Sequence, residues 1–339
     1  MQVRRARLWV SRLVVAPLVG LSLTVPVPAQ EAGQPPSTVA PQPPTAPPPE
    51  LLQPTFKTSV KLVSVAAVVR DGRGRIVRGL RKDDFQVLEF GAPRPIVNFA
   101  ADDEGPISLA ILFDTSGSMQ MTANLAAGRE AVRHILGWMQ PRADEVGLFS
   151  FDRDVREDVQ FTRDPDQLEP ALDRLHAGGS TSLYDAIAQT ANHLATRPSP
   201  RRAMVVITDG LDTSSVMTPN DVASLAAEVD VPVYVIAVVS PIDHPGTQQS
   251  LVNEQQSPTA SLALLSDASG GKVVISSAPA HASAAARELI TELRHQYLLA
   301  VESSRGAGWF SLDVRTRNRS WNVRARSGYL ASSSSRQVG

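Results

Sequence analysis

The chain has 339 residues, 42% of them apolar, which suffices for one large domain, a smaller one and a substantial core. Its 33 basic and 34 acidic residues leave a formal charge of −1, so electrostatics give no case for nucleic acid or anionic lipid as a partner. It holds no cysteine, which excludes disulfides, Cys-ligated zinc or iron–sulfur sites, thiol catalysis and an acylated-Cys anchor.

Arg4, Arg5, Arg7 and Arg12 precede an apolar stretch from Leu13 to Val27, and Val27 and Ala29 suit cleavage before Gln30. This pattern predicts a secretory signal peptide over residues 1–29 and a secreted or periplasmic mature chain. The alternative is an uncleaved membrane anchor, against which Pro17 and the shortness of the stretch count. Arg4-Arg5 is too poor a twin-arginine match to argue for folded export. Cleavage leaves 29 basic and 34 acidic residues, a formal charge of −5. No later run of about 18 apolar residues follows, so no integral membrane segment is expected in the mature chain.

Residues 30–55 are dominated by Pro, Ala, Gln and Thr and are expected to form a disordered, polyproline-like linker. Residues 56–102 have a β texture, with strands expected at Ser59–Arg70, Phe85–Glu89 and Pro95–Ala100, which is too little to stand alone. From 103 to 295 strand and helix alternate, predicting a doubly wound, mostly parallel α/β sheet. Its strands are expected at Ile107–Phe113, Glu145–Phe151, Ala203–Ile207, Val233–Val238 and Lys272–Ile275, with an antiparallel edge at Val155–Phe161. Its helices are expected at Met121–Met139, Asp166–Leu175, Ser182–Thr196, Asn220–Val229, Ser261–Ala268 and Ala280–His295. A polar loop from Ser240 to Pro258 interrupts the pattern.

Residues 296–331 return to β alternation at Gln296–Glu302, Trp309–Thr316 and Ser320–Arg326, and 332–339 form a disordered tail. The two β-rich flanks are expected to pair into one immunoglobulin-like sandwich with the α/β domain inserted between them. Alternatively, each flank extends the α/β domain separately.

The chemistry gathers in three loops. Asp114-Thr-Ser-Gly-Ser118 follows the apolar run from Ile107 and presents one carboxylate and two hydroxyls at the carboxyl edge of a sheet, where open α/β folds bind ligands. Oxygen-only donors suit a hard divalent cation rather than zinc or copper. Gly178-Gly-Ser-Thr181 lies between two helical stretches, and Asp209 follows the strand ending at Ile207.

With these three loops the chain resembles the von Willebrand factor type A domain, whose metal-ion-dependent adhesion site (MIDAS) combines D-x-S-x-S, a distant Thr and a later Asp. The resemblance implies Asp114, Ser116, Ser118, Thr181 and Asp209 as metal-site residues and Mg²⁺, or Mn²⁺ or Ca²⁺, as the ion. The three hydroxyls are the expected direct ligands, and the two carboxylates supply charge. It further implies a protein partner whose Asp or Glu fills an open coordination position. The flanks, from Val60 through Asp83-Asp-Phe-Gln-Val and from Glu292 through Arg324-Ala-Arg-Ser-Gly-Tyr329, look like those of bacterial secreted VWFA-related domain proteins.

Asp185 is expected to cap the helix after Thr181, and Asp212 to begin a turn, or both to orient hydroxyls and water from behind the ligands. Tyr184 is expected to pack beneath the loop. Catalysis has little support. G-x-S-x-G, H-E-x-x-H and a Walker lysine are absent, and none of the six histidines lies in these loops. The expected protein is a secreted, non-enzymatic, metal-dependent adhesion module. The alternatives are an envelope scaffold with a purely structural ion and, less favoured, a metal-assisted hydrolase using Asp209 as base.

Overall fold

The structure, a computed structural model, describes residues 62–101, 105–121, 124–238, 258–276, 279–304 and 306–331. The expected signal peptide, linker and tail, and the loop from 240 to 257, lie outside the described residues.

Four strands come first: β1 (Leu62–Arg70), β2 (Phe85–Glu89), β3 (Ala92–Arg94) and β4 (Ile96–Ala100). The α/β core then begins with β5 (Ile107–Asp114), α1 (Ser118–Met121), α2 (Asn124–Leu136), β6 (Glu145–Phe151) and β7 (Val155–Thr162). It continues with α3 (Glu169–Arg174), α4 (Leu183–Ala195), β8 (Arg201–Thr208), α5 (Pro219–Glu228) and β9 (Val233–Val238). It ends with α6 (Pro258–Ser269), β10 (Lys272–Ser276) and α7 (Pro279–Arg294). Four more strands close the described chain: β11 (Tyr297–Glu302), β12 (Gly308–Thr316), β13 (Asn322–Ala325) and β14 (Gly328–Ala331).

The central sheet has the order β10-β9-β8-β5-β6-β7, parallel except for β7. Every residue of β5 is buried, because helices cover both faces. Alternate residues point to opposite layers. Ile107, Leu109, Ile111 and Phe113 pack with α2, α3 and α7, while Ala110 and Leu112 pack with α4, α5 and α6. Each such Ile, Leu or Phe contributes about 1.5–3 kcal/mol by leaving water. Gly128 lets α2 approach closely, since a Cβ there would stand 2.8 Å from the Phe113 ring. The start of α5 is fixed by Thr218 and Asp221, whose side chains each accept from the other's backbone N–H.

Chain order reverses at β5: β6 lies on one side of it, and β8, β9 and β10 follow on the other. A sheet of this kind opens a crevice at the carboxyl ends of its switch-point strands, here β5 and β8.

The flanks form two four-stranded sheets, β13-β1-β11-β4 and β14-β12-β2-β3, and each sheet draws strands from both flanks. They share one core in which Val65 and Val69 of β1 meet Val87 of β2, Leu299 of β11 and Val314 of β12. The Tyr297 hydroxyl ties in the loop after β1, donating to Val77 O at 2.9 Å and accepting from Leu80 N. β3 and β14, which the sequence reading did not separate, are three- and four-residue edge strands.

A buried charge cluster joins flank and core. Glu292 of α7 is fully buried and pairs with Arg70 of β1 and Arg324 of β13. Arg70 also reaches Glu288 at 2.7 Å, as does Lys272. Among the described residues no helix is long and apolar enough to cross a membrane.

Candidate metal centre

Asp114 is the last residue of β5 and is fully buried. Its Oδ1 accepts from Ser116 N at 2.8 Å, which bends the chain sharply at the strand's end, and its Oδ2 accepts from Thr208 Oγ1 at 2.6 Å. Ser116 is buried and Ser118, at the start of α1, is half-buried; their hydroxyl oxygens lie 3.1 Å apart. Thr115 anchors the bend to the end of β6, donating both its N–H and its Oγ1 to Phe151 O at 2.8 Å.

The second loop docks directly on this bend. Gly178 N donates to Thr115 O at 2.8 Å, and Gly117 N to Gly179 O at 3.0 Å. Gly179 has φ +93°, a conformation that favours glycine, and the approach is close on the other side too, since a Cβ on Gly117 would stand 3.3 Å from Gly179 O. Thr181 follows and is buried. Its N–H donates to Thr213 Oγ1 at 3.0 Å, and its carbonyl accepts from Thr213 N and Ser214 N at 2.9 Å.

Asp209, half-buried, opens the third loop after β8 and accepts from Leu211 N. Thr208, one residue earlier, also accepts from Gly210 N at 3.0 Å. The three segments are thus hydrogen-bonded in pairs, the first to the second through Thr115 and Gly117, the first to the third through Asp114–Thr208, and the second to the third through Thr181–Thr213.

The electrostatics ask for a cation. Burial pushes the Asp114 carboxyl up to about 6; the hydrogen bonds from Thr208 and Ser116 pull it down, and the nearby Asp209 charge adds a further upward push. A desolvated carboxylate beside a second one is costly without a positive partner. The five candidate residues would offer two carboxylates and three hydroxyls. No group of three or more His, Cys, Asp or Glu that could hold a metal occurs among the described residues. An all-oxygen set of this charge fits a hard divalent ion and not a His/Cys zinc centre.

Two neighbours of the loops tie the second and third loops to α4, and one of them, Asp185, departs from its expected role. Asp185 does not cap α4. It lies inside the helix, and its two carboxyl oxygens accept from Val216 N and Met217 N at 2.9 Å, pinning the loop before α5. Asp212 accepts from Leu183 N at 2.8 Å and from Ser215 Oγ at 2.6 Å, so it holds the first turn of α4 as well as its own loop. Tyr184 is buried in the layer beneath, among the side chains of α4 and α5. The sequence reading passed over Thr208. The available signal was a hydroxyl at the buried end of an otherwise apolar strand, directly before a candidate acid.

His193 of α4 packs against the Phe149 and Phe161 rings.

An uncharacterised protein of Borreliella burgdorferi is 27% identical over 140 residues, which are 39% of this chain and 40% of that protein. The chain therefore spans well under half the length of this relative. Similar solved structures include a von Willebrand factor type A protein from Catenulispora acidiphila, 15% identical, covering 81% of this chain and 73% of that one with a TM-score of 0.46. An aerotolerance-related membrane protein from Bacteroides fragilis is 18% identical, covering 55% and 98% with a TM-score of 0.45. Proximal thread matrix protein 1 from the mussel byssus, with a zinc-occupied MIDAS motif, is 15% identical, covering 60% and 49% with a TM-score of 0.44. The family model described as von Willebrand factor type A domain matches residues 109–212, a span that contains all five candidate site residues, so this part of the chain is similar to a von Willebrand factor type A domain.

Proposed function

We propose that this protein is a secreted, non-enzymatic binding module whose von Willebrand factor type A domain engages a protein partner through a divalent cation. Asp114, Ser116, Ser118, Thr181 and Asp209 hold the ion, of the Mg²⁺ type. The observation that carries this reading is the pairwise hydrogen bonding of the three loops around the buried Asp114 carboxyl.

In this reading Ser116, Ser118 and Thr181 supply neutral oxygens, while Asp114 and Asp209 balance the charge. Thr208 and the Ser116 N–H orient the Asp114 carboxylate, and Thr213 fixes the backbone that carries Thr181. The bound ion supplies a charge-dense, exchangeable position for an Asp or Glu carboxylate of the partner. No histidine stands in the loops to serve as a general base.

We also read the flanks as a single immunoglobulin-like unit made of residues 56–102 and 296–331, with the type A domain from 103 to 295 inserted in it. Residues 1–29 are the proposed export signal.

Capture of a partner from envelope extract tests this reading. Binding should require Mg²⁺ or Mn²⁺, vanish in EDTA, and vanish in the Asp114→Ala/Ser116→Ala protein while the melting temperature in EDTA stays close to that with the ion. Partner capture that persists in EDTA sinks the reading. Loss of capture only alongside a large fall in melting temperature points to a purely structural ion.

A further inference from the structure

We propose that the protein carries a second ligand site, for a small oxyanion bearing clustered carboxylate or phosphate groups, in the hollow between the β1 hairpin and α7. This hollow has a volume of about 640 Å³, and none of its lining residues belongs to the three metal loops. That volume lies within the range of small-ligand sites, roughly 300–1,000 Å³.

Its walls are arginines from two parts of the chain. Arg70, Arg75 and Arg78 come from the end of β1 and the turn after it, and Arg287 comes from α7. The four are not equivalent. Arg70 is held by Glu288 and Glu292, and Arg75 by Asp71 at 2.7 Å. Glu288, the acid in the lining, is shared between Arg70 and Lys272. Arg78 and Arg287 have no ion-pair partner among the described residues. Both are exposed, and the Arg287 guanidinium lies 5.5 Å from the centre of the Trp138 ring. Stacking of this kind restrains a guanidinium while leaving its N–H edge free to donate.

The floor explains why the hollow stays open. Ala280, Ser283 and Ala284 occupy successive positions on one face of α7, and Ile76 faces them from the hairpin. Longer side chains there would fill the space between the arginines. The result is a small-residue floor under two uncompensated guanidiniums, in a chain whose overall charge is −1. Guanidinium forks match carboxylate and phosphate geometry in a bidentate manner, and this sets the ligand class. The site is a composite of flank and type A domain and does not depend on the metal reading.

Calorimetric titration of the full chain with citrate and, separately, inorganic pyrophosphate tests the site. EDTA keeps divalent ions out of both titrations. Saturable 1:1 binding of at least one probe is expected, weakening at least about tenfold in Arg78→Ala/Arg287→Ala and again as ionic strength rises. Pyrophosphate binding alone assigns a phosphate ligand, and citrate binding assigns a carboxylate one. Ala284→Glu, which places an acid on the exposed floor, should weaken binding similarly, whereas Asp114→Ala should leave it unchanged. No saturable binding of either probe, or equal affinity in wild type and the double-arginine variant, overturns the proposal.

Discussion

The Thr208 hydroxyl donates a 2.6 Å hydrogen bond to Oδ2 of Asp114, joining the ends of the two strands between which chain order reverses. Both side chains are fully buried, so no water replaces this bond if it is lost. Thr208 also accepts from Gly210 N, so one hydroxyl sets the Asp114 carboxylate and the first bend of the Asp209 loop together.

Thr208→Val keeps the shape of the side chain but leaves Asp114 Oδ2 and Gly210 N without their partner. The expected cost is about 1–3 kcal/mol of stability by urea unfolding. Mg²⁺ affinity should also fall about 10–100-fold by calorimetry, because Thr208 orients a charged group of the site without being proposed as a ligand. Thr208→Ser restores the hydroxyl and should recover most of both. A valine variant with wild-type Mg²⁺ affinity would show that the bond is irrelevant to the site.

Glu292 tests the joint between the flank sheets and the α/β core. It is fully buried between Arg70 and Arg324, so Glu292→Ala takes the carboxylate from the largely buried Arg324 and leaves Arg70 with Glu288 alone. A loss of about 3–5 kcal/mol is expected. At about 2–4 °C per kcal/mol for a domain of this size, the melting temperature should drop by roughly 10 °C. A change of one or two degrees would mean that water reaches the cluster.

Glu145 sets a pH dependence. Burial pushes its carboxyl up, but hydrogen bonds from Arg197 and Ser108, together with the guanidinium charge, outweigh burial and hold it below its usual 4.5. Arg197 grips it with two bonds of 2.8 and 2.6 Å. A carboxyl whose folded pKa is depressed contributes stability that is fully present above the unfolded value and is lost as pH falls through the folded one. Wild type should therefore exceed Glu145→Gln by about 1–2 kcal/mol at pH 7, with the gap closing as pH drops below 4.5. A gap that stays constant down to pH 3 would remove Glu145 from the acid response.

The α/β core was legible because β5 is buried on both faces, which the unbroken run from Ile107 to Phe113 announces, and because helical periods separate the strands. Asp114-x-Ser-x-Ser118 was legible because its residues are adjacent in sequence. Thr208 and Asp185 were not, since their partners Asp114 and Val216 lie 94 and 31 residues away and leave no periodic trace. The helix expected from Met121 already begins at Ser118, inside the loop motif, and the described part of α2 ends at Leu136 rather than at Met139. β3 escaped notice because it has three residues and contains Pro93, a composition that reads as a turn.

Calorimetric titration of Mg²⁺ into wild type and into Ser118→Ala, Thr181→Ala and Asp209→Ala, one variant from each loop, bears most directly on a shared cation. Wild type should bind one ion, and each variant should lose at least about tenfold in affinity. A Thr181 or Asp209 variant that binds as tightly as wild type, or a wild type that binds no ion, would contradict a centre shared by the three loops.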